Sequence, residues 1–198
     1  TRVHTSTGNT YPTNQWSHAT FVKQADGTSL VYMNGVLEVT SSESQPTPMY
    51  ALKIGTNRRE EHPWKGYIDE FKIYKRALTA EEVNNLYIND TPSTDGTSWN
   101  QGVDFNGPSG YARNHNNWNG QNPLHRLTSI TPSNSVSSGQ TAASGQPWAV
   151  AAVFKPTDLS TSRTLWSQSK MESDSRHNDS VKIEIDTNGR IFFNYADN

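Results

Sequence analysis

The chain contains no cysteine in its 198 residues. That excludes a disulfide scaffold, thiolate metal sites and thiol catalysis. It does not fix a compartment, since bacterial and viral surface proteins often lack cysteine. Charge is sparse too: 18% of residues, with 17 Lys and Arg against 19 Asp and Glu, a net charge of -2. There is no basic field for nucleic acid and no basic amphipathic helix for a membrane surface. No apolar run approaches the roughly 20 residues of a membrane span. No signal peptide is seen, so any export signal is expected outside this segment. The mean hydropathy of -0.81 is low, but much of the polarity is uncharged Asn, Ser, Thr and Gln. What the chain does have is aromatic residues, 6 Trp, 8 Tyr and 6 Phe, which can fill a core.

Short strand signals separated by turn residues run through the first part. Gln15–Val22 ends at the turn Ala25-Asp26-Gly27-Thr28. Leu30–Met33 turns at Asn34-Gly35, a strong two-residue hairpin signal, and Val36–Thr40 returns. Ser41–Pro48 reads as a loop, Tyr50–Gly55 as a strand, Arg58–Pro63 as a charged loop and Tyr67–Tyr74 as a strand. Thr79-Ala80-Glu81-Glu82 is a capping box, predicting a helix from Ala80 to about Ile88 with Val83, Leu86 and Tyr87 as its apolar stripe. Asn89–Gln101 is linker-like. The second part opens with Val103–Gly107, and long loops are expected over Asn114–Asn122 and Ser129–Gln146. Strands are expected over Trp148–Lys155, Thr164–Gln168 and Val181–Asp186, then Arg190–Tyr195 after the turn Thr187-Asn188-Gly189. Many short strands, frequent turns and one short helix predict an all-β fold, an antiparallel β-sandwich of jelly-roll type.

Trp16–Phe21, Leu30–Gly35, Leu52–Gly55 and Gly66–Tyr74 followed by Lys75–Val83 occur in an order that resembles the C-terminal half of a laminin-G-like domain. Such domains belong to the concanavalin A-like lectin and glucanase superfamily of jelly rolls. Val103–Gly107 with Tyr111, Pro147–Pro156, Leu165–Ser167 and Ile183–Ile185 resemble the N-terminal half. The halves stand in swapped order: 1–90 as the C-terminal half, 91–102 as a linker, 103–198 as the N-terminal half. The chain starts at Thr1 and ends just after a strand-like run, as if cut. Placing Asn198 before Thr1 reads smoothly as a strand, a loop and the next strand. Two arrangements fit: one period of a tandem array framed across the domain boundary, which is the favoured reading, or a circularly permuted single domain.

The superfamily includes glycoside hydrolases with a Glu-x-Asp-x-x-Glu strand motif. Glu184-Ile185-Asp186 matches its start, but Asn188-Gly189-Arg190 follow and the third carboxylate is missing. Glu184 and Asp186 are therefore expected on the polar face of a strand, and the protein is expected not to be an enzyme. Strict alternation places Asp69 on the core side with Tyr67, Phe71 and Ile73, where a carboxylate needs hydrogen bonds or a cation; accepting from backbone amides at a bend is favoured over a metal site. Calcium is the one ion the resemblance implies. Asp174, Asn178 and Asp179 are oxygen donors on one loop, a weak match, and no cofactor is otherwise indicated. The 6 His show no zinc spacing.

A glycan site needs exposed aromatic rings beside amide or charged donors. Tyr111, Asn114, Asn116, Asn117 and Trp118 form one candidate loop, and Arg58, His62 and Trp64 another. The competing reading has Trp118 and Trp64 plugging the sandwich ends. Trp16, Trp148 and Trp166 lie in strand signals and are expected in the core, with His18 structural. Similar domains occur in bacterial adhesins and in structural proteins of marine phages. The expected role is thus a non-catalytic module of a repetitive extracellular, cell-surface or virion protein. Its expected partners are glycans, surface proteins and neighbouring copies of the same module, with no nucleic acid and no membrane insertion. The alternative is a purely architectural spacer; a glycoside hydrolase relative is the weakest reading.

Overall fold

The computed structural model describes residues 2–41, 51–57, 61–74, 76–90, 103–104, 112–113, 147–169 and 179–196. Twelve strands and one helix are formed there. The first part carries β1 (Arg2–Ser6), β2 (Ser17–Lys23), β3 (Ser29–Met33), β4 (Val36–Ser41), β5 (Ala51–Ile54), β6 (Gly66–Tyr74) and α1 (Ala80–Asp90). The second carries β7 (Val103–Asp104), β8 (Ala112–Arg113), β9 (Trp148–Pro156), β10 (Arg163–Ser169), β11 (Asp179–Ile185) and β12 (Ile191–Ala196).

The strands make two six-stranded sheets, ordered β1-β12-β11-β10-β5-β8 and β4-β3-β2-β9-β6-β7. All their ladders are antiparallel. Each sheet draws strands from both halves of the chain, and β9 of the second half lies between β2 and β6 of the first. The inner faces meet through Phe21 of the second sheet. Its ring is stacked with Phe193 at 4.8 Å and lies edge-on to Trp166 at 6.1 Å, both on the first sheet. Trp148 and Trp166 are buried as expected.

The outer face of the second sheet is also covered. Val22, Leu30, Tyr32 and Ala149 pack there against Leu78 and Val83, with Leu86 alongside. Small residues on the outer face of β9, Ala149 and Ala151, let α1 lie close. Fully burying Val83 contributes about 2 kcal/mol. The helix starts where the capping box places it: the Glu82 amide donates to Thr79 Oγ1 at 3.2 Å, and the Thr79 amide donates to the Glu82 carboxylate at 2.9 Å. It runs to Asp90, two residues beyond expectation. At the β3–β4 turn both Asn34 (φ 50°) and Gly35 (φ 78°) are left-handed, as a two-residue primed hairpin requires.

Four expectations change. Residues 2–6, read as loop, form β1 against β12; period-two alternation was too short there to show. The 111–122 loop holds the two-residue strand β8 against β5. Trp16 stands one residue before β2 and is half-exposed, not core. Asp69 leaves the core side because β6 carries a bulge between Asp69 and Lys72, with Glu70 at φ 47°. An inserted residue inverts the alternation. Ile68 faces the core before the bulge, and Phe71 and Ile73 face it after. Asp69 still serves at the bend, its Oδ1 accepting from the Glu70 amide at 2.8 Å.

Candidate functional site

Three strands of the second sheet end together. The Asn14 amide donates to the Pro156 carbonyl at 2.7 Å, and the Thr157 amide to the Lys65 carbonyl at 2.9 Å. Gly66 lies opposite Pro156 with φ 134°. A Cβ at Gly66 would come within 2.0 Å of the Lys155 carbonyl oxygen, so only glycine lets β6 approach β9 here. The next register pair is Tyr67 with Lys155. On the other side of β9, Ser17 pairs with Phe154, and Trp16 follows just beyond.

Ile68 and Phe154 point into the core, so their neighbours Tyr67 and Lys155 point outward. The result is a cross-strand row of Trp16, Lys155 and Tyr67, all half-exposed. The rings of Trp16 and Tyr67 are 6.3 Å apart and tilted by 50°. The Lys155 ammonium sits 5.1 Å from the Trp16 ring centre and 4.9 Å from that of Tyr67. Such cation–ring contacts are weak at exposed sites. The register sets Asp104 of β7 opposite Tyr67, on the side away from β9.

Next to this row, beneath α1, the sheet buries polar groups. His18 and Thr20 are fully buried on the outer face of β2, and neither imidazole nitrogen nor the Thr20 hydroxyl has a hydrogen-bond partner among the described residues. The Tyr87 ring covers His18 at 6.2 Å. Burial pushes the imidazole down to about 4, with Asp90 acting against the shift and Lys72 adding to it. Lys72 itself bridges Glu70 at 2.9 Å and Asp90 at 2.7 Å.

The residues singled out from sequence are scattered. Trp64 is fully buried, its ring edge-on to Phe154 at 5.6 Å, so it has no open face for a ligand; it plugs the sandwich. His62 is exposed at φ 55°. Arg58, Tyr111, Asn114, Asn116, Asn117, Trp118, Asp174 and Asn178 lie outside the described residues, and Asp179 begins β11. Among the described residues no three His, Asp or Glu gather as a metal site. Glu184 accepts from Thr164 Oγ1 at 3.1 Å and bridges Lys182 at 2.9 Å. Asp186 accepts from the amides of Asn188 and Arg190, closing its hairpin. Both carboxylates are held in structural bonds. The Trp16–Lys155–Tyr67 row was missed because its three residues lie far apart in the chain; only the pairing of β2, β9 and β6 unites them.

Among the described residues the geometry leaves a sandwich with the Trp16–Lys155–Tyr67 row outside its core. Compared with family models, residues 1–84 match that of the concanavalin A-like lectin/glucanases superfamily, in its laminin G form. This segment is similar to part of a laminin G domain. No match was found among curated proteins or solved structures. At the level of the family, laminin-G-like domains are binding modules, commonly for glycans or proteins, and usually extracellular. No described helix is long and apolar enough to cross a membrane.

Proposed function

We propose that this laminin-G-like chain is a non-catalytic module of an extracellular or surface-exposed protein, and that it binds a glycan across Trp16 and Tyr67. The observation that carries this reading is the pair of half-exposed rings standing outside the core in one cross-strand row. Aromatic faces stack on the apolar C–H faces of sugars, and a half-exposed ring has an apolar body with one wet edge. The 50° tilt between the rings suits two successive units of a twisted chain better than one flat ring. The 111–118 loop, with Tyr111, Asn114, Asn116, Asn117 and Trp118, and Arg58 with His62 remain proposed second contacts. Asp174, Asn178 and Asp179 remain a proposed calcium loop. Adhesion at a cell or virion surface would follow from such binding.

The test is a glycan array on the folded protein, with calcium and then with chelator. Trp16→Ala is expected to weaken any specific binding at least about tenfold, since a ring contact is worth about 1 kcal/mol beyond its buried area. If Trp118→Ala abolishes binding and Trp16→Ala leaves it intact, the site is the loop and the row is not. No binding by a folded sample under either condition sinks the glycan reading.

One observation favours the architectural reading, contacts between neighbouring copies. Leu37 and Val36 on the edge strand β4 are 46% and 63% exposed, and Ile88 on α1 is 63% exposed. A concentration-dependent mass in sedimentation that disappears in Leu37→Lys would support it.

A further inference from the structure

We infer that the Trp16–Lys155–Tyr67 row is a subsite for an acidic sugar, a pyranose carrying a carboxylate on C5. The inference rests on the glycan reading above and adds the chemical class of the ligand. Its basis is the bonding of Lys155. Other lysines are held by oxygen: Lys23 by the Gly27 carbonyl, Lys72 by Glu70 and Asp90, Lys182 by Glu184. Among the described residues, the Lys155 ammonium is held by the two aromatic rings alone. It is half-buried and has no carboxylate among the described residues. A cation that has lost part of its water and met only π-faces has a large part of its attraction unused.

The placement suits a uronate. A pyranose lying on an aromatic face turns its equatorial substituents outward at its rim. The ammonium lies over both ring faces, about 5 Å from each centre, so a sugar stacking on either ring displaces it to the sugar's rim. A C5 carboxylate reaches it there without lifting the sugar off the ring. The frame is rigid, since Gly66 and the Asn14–Pro156 and Thr157–Lys65 backbone bonds fix the register of the three strands. A neutral hexose would gain the stacking but leave the charge without its anion.

The probes are a galacturonic acid oligosaccharide and the galactose oligosaccharide made from it by carboxyl reduction, titrated calorimetrically against the whole chain. Binding of the acidic oligosaccharide is expected to exceed that of the reduced one by at least about tenfold, the scale of a charge-assisted hydrogen bond, and to weaken with added salt. Lys155→Met should bring the acidic ligand down to the level of the neutral one, and Lys155→Arg should keep the preference. Circular dichroism of each variant separates lost charge from lost fold. Equal binding of the two oligosaccharides, lost in Trp16→Ala but unchanged in Lys155→Met, overturns the acidic subsite and leaves the glycan reading standing. A preference that survives Lys155→Met overturns the role of Lys155. Failure of both to bind, while other glycans bind on an array with dependence on Trp16, overturns the acidic class alone; failure of every glycan overturns both readings.

Discussion

His18, Thr20 and Trp64 are each fully buried with polar atoms that no group among the described residues satisfies. A buried polar atom without a partner costs about 1–3 kcal/mol. Thr20→Val removes the hydroxyl with little change of shape and should raise the unfolding free energy by about 1 kcal/mol in urea. A loss instead would show that the hydroxyl is bonded in solution. His18 adds a dependence on pH. Burial holds its pKa near 4 in the folded chain against 6.5 for a free imidazole. As pH falls below about 6.5 the unfolded chain takes up the proton first, so stability is full above that value. It declines until the folded-state value near 4 is reached, by on the order of 3 kcal/mol in all. Carboxylates with depressed values, such as Glu82 at about 2, add a further loss at lower pH. His18→Leu should therefore flatten the acid profile, so that the wild-type minus variant difference falls by about that amount between pH 6.5 and 4, read from urea midpoints; an unchanged acid profile would refute the assignment. At this scale the sequence was only partly legible. Strand signals placed His18 and Trp148 correctly, but ring exposure at Trp16 and Trp64 depends on which strand lies alongside, and local pattern does not carry that.

The elements were read more securely, because each has a local cause. The Asn34-Gly35 turn, the Thr79–Glu82 box and the Asp186–Gly189 hairpin are fixed by residues within four positions of one another. Removing the cap by Thr79→Ala should cost about 1 kcal/mol and fray α1, seen as faster amide exchange over residues 80–84. What failed were features set by a partner strand: β1, which exists because β12 offers an edge, and the bulge in β6, which inverts the face of Asp69. The bulge has a sequence trace only in hindsight, the run Asp69-Glu70 between Tyr67-Ile68 and Phe71. Gly66 is the counterpart of the bulge at the other end of β6. Gly66→Ala would push a Cβ to 2.0 Å from the Lys155 carbonyl oxygen at φ 134°, where neither backbone can yield without breaking the pair. The expected result is a loss of more than about 3 kcal/mol, or no soluble protein, together with loss of any binding at the Trp16 row. A stable Gly66→Ala variant would mean that β6 and β9 do not meet as closely as described.

On the scale of the molecule, the two halves are not two bodies. β9 lies between β2 and β6, and β1 completes the edge beside β12. Residues 1–90 alone would leave the inner faces of β2 and β6 without their shared neighbour, and residues 103–198 alone would expose Phe154, Trp166 and Phe193. Neither fragment should show a cooperative melt, while an equimolar mixture should recover the β-sheet spectrum and a single transition. The pairing of β1 with β12 carries the argument further. The last register pair is Arg2 with Ala196, so a peptide bond from Asn198 to Thr1 would leave three residues, Asp197, Asn198 and Thr1, as the connection. Three-residue loops are a common hairpin connection, and this one is polar with Asn in it. A chain joined at that point and opened between residues 90 and 103 would run in the order that the resemblance of the two halves implies for one laminin-G-like domain. Closing a short local hairpin costs less chain entropy than bringing together ends separated by the whole chain, though by only about 0.6 kcal/mol for each doubling of loop length. The rearranged protein is therefore expected to fold to the same sheets and to melt within a few degrees of the original. Collapse of its stability would show that β1 and β12 are not neighbours, and with that the interlocked arrangement of the halves would fall.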